Sequence, residues 1–216
     1  MTTTTADPSL SSTDPRYVFA RAVATAGATI AAVQPAQLTD PTPCTDYDVR
    51  ALMGHLLTVL GRVALLGEDG DPMSLPLVTT GTDDDAWHAT WMTAAHRVMA
   101  AWTDDETLDR MMVLPWAQAP GRAMLGMYTS ELTVHTWDLA TATGQQVTWD
   151  DQVLRTALGA ARAALPSGDR QAAFAAMAAN LPAQVVANGR PFGNPIDPGR
   201  DAPLIDQLVA WHGRNP

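Results

Sequence analysis

The residues best suited to chemistry in this 216-residue chain are a carboxylate and an imidazole four positions apart, Glu131 and His135. In an α-helix this spacing places the two side chains about 40° apart around the axis, so they point the same way. Apolar residues and Asp138 share that side of the helix. Because burial of an unpaired carboxylate is costly, the pattern predicts a compensating cation, a metal ion or a dense hydrogen-bond network. The alternative is an ordinary polar helix edge.

His55 is the candidate third member of this cluster. It lies on the flank of the apolar stripe of an earlier predicted helix. Facing helices of a bundle present a histidine from one helix and a Glu/His pair from another when they bind a metal. Two histidines and one glutamate leave an open position on a zinc ion, as in catalytic rather than structural sites. The alternative interpretation is a hydrogen-bonded histidine at the edge of the core.

Three further residues are candidates for the surroundings of this site. Trp116 lies between two prolines in a segment that cannot be regular helix, which makes it a candidate pocket wall. Tyr128 and Asp138 share the face of Glu131 and are candidates for orienting His135 or for hydrogen bonding to bound water. An ordinary buried hydrogen bond is the alternative for both. Asp138 is also the candidate general base if the site activates water.

The elements that must position these residues are helices. Apolar residues at helical spacing, bounded by capping residues, glycines and prolines, predict helices over approximately the following ranges: 14–34, 45–67, 82–102, 121–143, 148–165, 169–180 and 204–211. Four long helices joined by loops predict an antiparallel bundle. No sustained period-2 alternation occurs, so the fold class is all-α, with short extended pieces allowed at 112–114 and 184–187.

The chain divides into three parts. Residues 1–13 are rich in Thr and Ser and predict a flexible N-terminal tail. Residues 14–144 hold the bundle with the candidate metal site. Residues 145–216 hold C-terminal helices and, at 182–203, a Pro-rich irregular segment packed on the bundle.

Composition excludes several classes of function. The net charge of −10 repels nucleic acid, and Arg62, Arg97 and Arg122 are too scattered to form a basic cluster. A single cysteine, Cys44, cannot form an internal disulfide, which favours the cytoplasm. Cys44 precedes the second helix and lies roughly 14 Å from His55 along it, which favours a buried connector residue over a metal ligand shared with His55. The N-terminus lacks the pattern of a signal peptide, and no run of about 18 apolar residues predicts a membrane span.

Two segments resemble a known family. Residues 41–56, PTPCTDYDVRALMGHL, and residues 131–144, ELTVHTWDLATATG, resemble the second helix and the metal-binding helix of the DinB-like superfamily. The similarity is to the actinobacterial branch related to mycothiol-dependent maleylpyruvate isomerase, and residues 192–196 and 213–216 resemble the tails of its short members. The resemblance implies a DinB-like four-helix bundle in which His55, Glu131 and His135 bind a divalent metal, usually Zn²⁺, with Ni²⁺ as the other candidate.

The resemblance also implies a thiol-dependent reaction. Mycothiol, or another low-molecular-weight thiol, would be a co-substrate whose thiolate attacks a small electrophile, in a cytoplasmic transferase or isomerase that forms a homodimer. The isomerase carries an added C-terminal domain, whereas Gly144 in this chain is followed by helices and a Pro-rich segment. Two alternatives stay open: a metal-dependent hydrolase that uses metal-bound water, and a metal- or ligand-binding protein without turnover.

Overall fold

The computed structural model describes residues 11–181, 186 and 192–216, and this part of the chain is mostly helical, which confirms the all-α class. The helices are α1 (Pro15–Ala31), α2 (Val49–Gly67), α3 (Trp87–Ala101), α4 (Asp105–Asp109), α5 (Gly121–Thr143), α6 (Asp151–Ala164), α7 (Arg170–Ala178) and α8 (Leu204–Trp211). Most of the predicted tail, at 1–10, lies outside the described residues. So does most of the predicted extended piece at 184–187.

Within the described residues, a hairpin between α4 and α5 interrupts the helical pattern. Strands β1 (Met111–Leu114) and β2 (Ala117–Pro120) pair antiparallel, with Leu114 opposite Ala117. The extended piece expected at 112–114 is therefore confirmed. Pro115 and Trp116 form the turn, and the Trp116 side chain is 40% exposed there.

The start of α2 differs from the prediction. The helix begins at Val49, four residues after Thr45, because Asp48 is the capping residue and its carboxylate accepts the N–H of Ala51 at 2.8 Å. Residues 44–47 form a turn, held by a bridge between Pro41 and Asp48. The start of α3 is likewise later than residue 82, since residues 84–86 form a turn.

The main core lies among α1, α2, α3 and α5. Trp91 and Trp102 are buried there, and their indole N–H groups donate to the carbonyls of Val23 at 3.2 Å and Val63 at 2.8 Å. Both tryptophans thus belong to the core. A second, smaller cluster joins α5 to α6 and α8: Val134, Leu154, Ala157, Leu158, Ala161, Leu208 and Val209.

Helix α2 is long and apolar enough to cross a membrane, judged by length and composition alone. Its most apolar window is 78% buried inside the protein, as in the core helix of a globular fold. The helix is therefore weak evidence for a membrane span. Because α2 is buried, it can hold the side chain of His55 in a fixed position against α5.

His212 gives the fold a predicted sensitivity to acid. Its Nδ1–H donates to Leu208 O at 2.8 Å, its Nε2 lies 3.2 Å from Ser130 Oγ, and burial lowers the pKa of the ring to about 4. Since the unfolded chain takes up this proton near pH 6.5, the stability that His212 contributes is present above that pH. It is lost as the pH falls towards 4, by at most about 3 kcal/mol. Urea unfolding of metal-free protein between pH 8 and 4.5 should show a flatter pH dependence for His212→Asn than for wild type. Equal slopes would contradict the assignment.

Candidate metal centre

Helices α2 and α5 bring the three predicted ligands together. His55 Nε2 lies 3.4 Å from Glu131 Oε1, and the rings of His55 and His135 meet edge to face with centroids 4.9 Å apart. One potential ligand atom from each of the three lies within 4.8 Å of the others. The side chains of His55 and His135 are 8% and 5% exposed, against 27% for Glu131. The cluster is therefore buried and opens towards solvent on the side of Glu131.

Each histidine of the cluster has one ring nitrogen already engaged. His55 Nδ1 lies 2.9 Å from the carbonyl of Leu77, and His135 Nδ1 lies 3.0 Å from Asp138 Oδ2. A carbonyl and a carboxylate only accept hydrogen bonds, so we assign the hydrogen to Nδ1 in both rings. This leaves Nε2 of each ring as the nitrogen that is free to bind a metal.

One distance between potential ligand atoms matches the spacing around a tetrahedral ion. With zinc–ligand bonds of about 2.0–2.1 Å, neighbouring ligand atoms of a tetrahedron lie about 3.4 Å apart. The distance from His55 Nε2 to Glu131 Oε1 is also 3.4 Å, longer than the ~2.7–2.9 Å of a charge-assisted hydrogen bond. Two imidazole nitrogens and one carboxylate oxygen suit zinc and leave a fourth position open.

The electrostatics of the cluster favour the protonation states that a metal needs. Burial raises the pKa of Glu131, but His55, His135 and Arg62 outweigh it and hold that pKa below its usual value. Burial lowers the pKa of His135 and outweighs the opposing effect of Asp138. Near neutral pH the carboxylate is therefore ionised and the His135 ring is uncharged, which is the state that binds a divalent ion.

Asp138 connects the cluster to the end of the chain. Its side chain has no exposed surface, and Arg214 donates to it through Nε to Oδ1 and through Nη2 to Oδ2, both at 2.9 Å. His135 Nδ1 donates to the same Oδ2. Both carboxylate oxygens are thus engaged, so Asp138 orients His135 and is not free to act as a general base.

Phe192 packs against the His135 side of the cluster. The ring of Phe192 has its centroid 6.1 Å from that of His135 and 4.6 Å from that of His212. Arg170 links the residue after Phe192 to the last residue of α8, since its Nη1 donates to the carbonyl of Gly193 at 2.7 Å and to that of Trp211 at 2.5 Å. The C-terminal part of the chain therefore completes the site that the bundle begins.

A second group of potential ligands consists of Cys44, His135 and Asp138, whose atoms also lie within 4.8 Å of one another. Burial raises the pKa of the Cys44 thiol to about 11, so it keeps its proton near neutral pH. Asp138 already pairs with Arg214, and a metal there would have to displace that pairing. The cluster with Glu131 is therefore the better candidate.

Sequence reasoning missed Tyr47 as a neighbour of the cluster and placed two other residues near the cluster. Tyr47 stacks on His55 with ring centroids 5.1 Å apart, although nothing in its spacing indicates this. The hydroxyl of Tyr128 is buried and has no hydrogen-bond partner within the described residues, so it does not bond to His135. Trp116 lies at the hairpin turn, and its role as a pocket wall stays a prediction.

A loop over α2 fixes the orientation of His55. Leu77 supplies the acceptor for Nδ1, and two residues later the N–H of Thr79 donates to Gly54 O at 3.1 Å. The hydroxyls of Thr79 and Thr58 lie 2.9 Å apart. The loop approaches so closely that a Cβ on Gly54 would lie 2.3 Å from Thr79 O. Glycine at position 54 is therefore required for this contact.

Gly54→Ala is expected to displace the loop and to weaken zinc binding about tenfold or more, since His55 loses its fixed partner. Competition with a chromophoric chelator measures the change in affinity. Gly159→Ala is the matched control, because its Cβ meets nothing within 4 Å on helix α6. That variant should bind zinc as the wild type does and gain up to about 1 kcal/mol of stability. Unchanged zinc affinity in Gly54→Ala would refute the role of the loop.

The helical fold and this buried triad together define a DinB-like bundle with a candidate metal centre between two of its helices. The sequence profile of the family described as "Mycothiol maleylpyruvate isomerase N-terminal domain" matches residues 19–140, and the chain belongs to this family.

Two relatives are uncharacterized proteins of Mycobacterium tuberculosis, one from strain CDC 1551 / Oshkosh and one from strain H37Rv. Each is 29% identical over 93% of this chain and 98% of its own length. Their source agrees with the resemblance to the actinobacterial branch. No solved structure matches the chain significantly.

Proposed function

We propose that this protein is a metal-dependent enzyme that uses a low-molecular-weight thiol, mycothiol in the first instance, in transfer to or isomerisation of a small electrophile. His55, Glu131 and His135 would hold the ion, with zinc as the first choice. The observation that carries the proposal is that His55 Nε2 lies 3.4 Å from the ionised carboxylate of Glu131, with a potential ligand atom of His135 within 4.8 Å of both. Membership of a family named for mycothiol supports the choice of thiol.

A divalent ion in this position supplies Lewis acidity that lowers the pKa of a thiol and so raises its thiolate fraction. The residues of the chain prepare the site for it. Leu77 and Asp138 fix the two imidazoles, and Arg214 keeps Asp138 ionised by a bidentate pair. Tyr47 and Phe192 cover the two rings and limit access of water from their sides.

The alternative of a hydrolase needs a free general base next to the metal. Asp138, the candidate from the sequence, accepts hydrogen bonds from Arg214 and His135 on both oxygens. Glu131 is itself a proposed ligand. A thiol has a much lower pKa than water and needs less help to lose its proton, so the arrangement favours thiol chemistry.

Cobalt-substituted protein tests this proposal. Addition of mycothiol should produce a sulfur-to-cobalt charge-transfer band in wild type and none in a His135→Ala variant. A panel of electrophiles, followed by the loss of free thiol, then identifies the reaction. If the spectrum stays unchanged at saturating thiol, the thiol-dependent function is wrong, and hydrolysis or metal binding without turnover becomes the better explanation.

A further inference from the structure

A cavity of about 300 Å³ lies between the end of α1 with the turn that follows it, helix α2 and the start of α3. Its size is at the lower end of small-molecule sites, which span roughly 300–1,000 Å³. Its apolar wall is formed by Ile30, Val33, Leu38 and Met53. Met53 precedes His55 by two residues on α2, so the two lie about 160° apart around the helix axis. The cavity is therefore separate from the candidate metal centre.

Carboxylates form the rim of this cavity at the start of α3. Asp84 and Asp85 both line the cavity and are exposed, as is His88 one turn later. Asp84 pairs with Arg50, whereas Asp85 forms no ion pair or hydrogen bond with the described part of the chain. No arginine among the described residues lines the cavity. The rim therefore suits a ligand that carries a positive charge.

Hydrogen-bond donors lie at the same end of the cavity. Trp87 lines the cavity and is 6% exposed, and its indole N–H is buried without an acceptor in the part of the chain that the structure describes. A buried donor left unsatisfied is costly, which calls for a reason. Ala86 precedes α3 and has no side chain that could accept from the first turn, so the N–H groups of that turn are also available. Donors at a helix N-terminus favour a carboxylate.

We propose that this cavity binds a free α-amino acid with an apolar side chain. The ammonium group of the amino acid pairs with Asp85, and its carboxylate accepts hydrogen bonds from the indole of Trp87 and from the first turn of α3. Its side chain packs against the apolar wall. A simple anion would be repelled by Asp84 and Asp85, and a simple amine would leave the Trp87 donor unsatisfied. This inference goes beyond the proposed function and does not depend on it.

L-Leucine is the probe for this cavity, and calorimetric titration of the full chain at pH 7 is the measurement. The protein is freed of metal first, because amino acids themselves chelate zinc. One equivalent of leucine should bind. The analogues 3-methylbutylamine and 4-methylpentanoate, which each lack one charged group of leucine, should bind about tenfold more weakly or worse. Glycine, which lacks the apolar side chain, should lose at least about tenfold as well.

Two substitutions test the polar contacts separately. Asp85→Asn and Trp87→Phe should each weaken leucine binding about three- to tenfold. Asp83→Asn is the matched control, because Asp83 is an exposed neighbour that does not line the cavity, and it should bind leucine as the wild type does. Since Asp85 is exposed, its variant tests the site even if Trp87→Phe does not fold. The proposal is overturned if leucine does not bind, if either analogue binds as tightly as leucine, or if Asp85→Asn binds it like Asp83→Asn. Loss of leucine binding in His135→Ala would place the amino acid at the metal centre and overturn it too.

Discussion

Replacing His135 by alanine is expected to abolish tight metal binding, with a loss of affinity well beyond the 10- to 100-fold typical of removing an outer partner of a ligand. The variant keeps His55 and Glu131 but lacks the imidazole that Asp138 orients. Its fold should survive, because Asp138 still pairs with Arg214 through two hydrogen bonds. Zinc titration by calorimetry measures the loss of affinity, and circular dichroism measures whether the helical content is kept.

The matched control for this variant is His96→Ala, which removes an exposed histidine of α3. It should bind zinc with wild-type affinity. The explanation fails if His135→Ala retains wild-type affinity while remaining folded, since the ion would then be bound by another set of residues.

Arg214→Met is expected to cause the largest loss of stability. The substitution leaves the carboxylate of Asp138 fully buried with only His135 to pair with it, and breaking a buried pair in this way costs about 3–5 kcal/mol. The unpaired charge favours protonation of His135, which competes with the metal. Zinc affinity should therefore fall about 10- to 100-fold, and more at lower pH.

Arg155→Met is the comparison for that variant, because Arg155 and Asp151 form an ion pair with both side chains mostly exposed. Loss of this pair should cost no more than about 1 kcal/mol and leave zinc affinity unchanged. Urea unfolding of the metal-free proteins and zinc titration at pH 6 and 8 test both variants. Similar stability losses in the two variants would show that the pairing of Asp138 with Arg214 is not the stabilising feature proposed here.

Much of the scaffold was predictable because it depends on local patterns. The spacing of apolar residues predicts α2 and α5, and the four-residue interval between Glu131 and His135 puts both on one face. The start of α2 was misplaced because Thr45 and Asp48 both look like capping residues. The bridge between Pro41 and Asp48, which decides between them, is a contact that propensity does not describe.

The surroundings of the triad depend on contacts that are distant in sequence. Arg214 meets Asp138 across 76 positions, and nothing local in either segment indicates the pairing. Leu77 contacts His55 through a backbone carbonyl, which any residue type would supply. Arg62 looked like one of several scattered arginines, and its burial on α2 becomes visible only in three dimensions.

The most direct test of the metal centre is X-ray absorption spectroscopy at the zinc edge, on wild-type protein loaded with one equivalent of zinc and no added thiol. We predict nitrogen and oxygen ligands at about 2.0–2.1 Å, an imidazole scattering pattern that fits two histidines, and no sulfur shell. A sulfur ligand at about 2.3 Å would instead assign the ion to Cys44 with His135 and Asp138. That result, or failure of the protein to retain one equivalent of zinc, would contradict the centre formed by His55, Glu131 and His135.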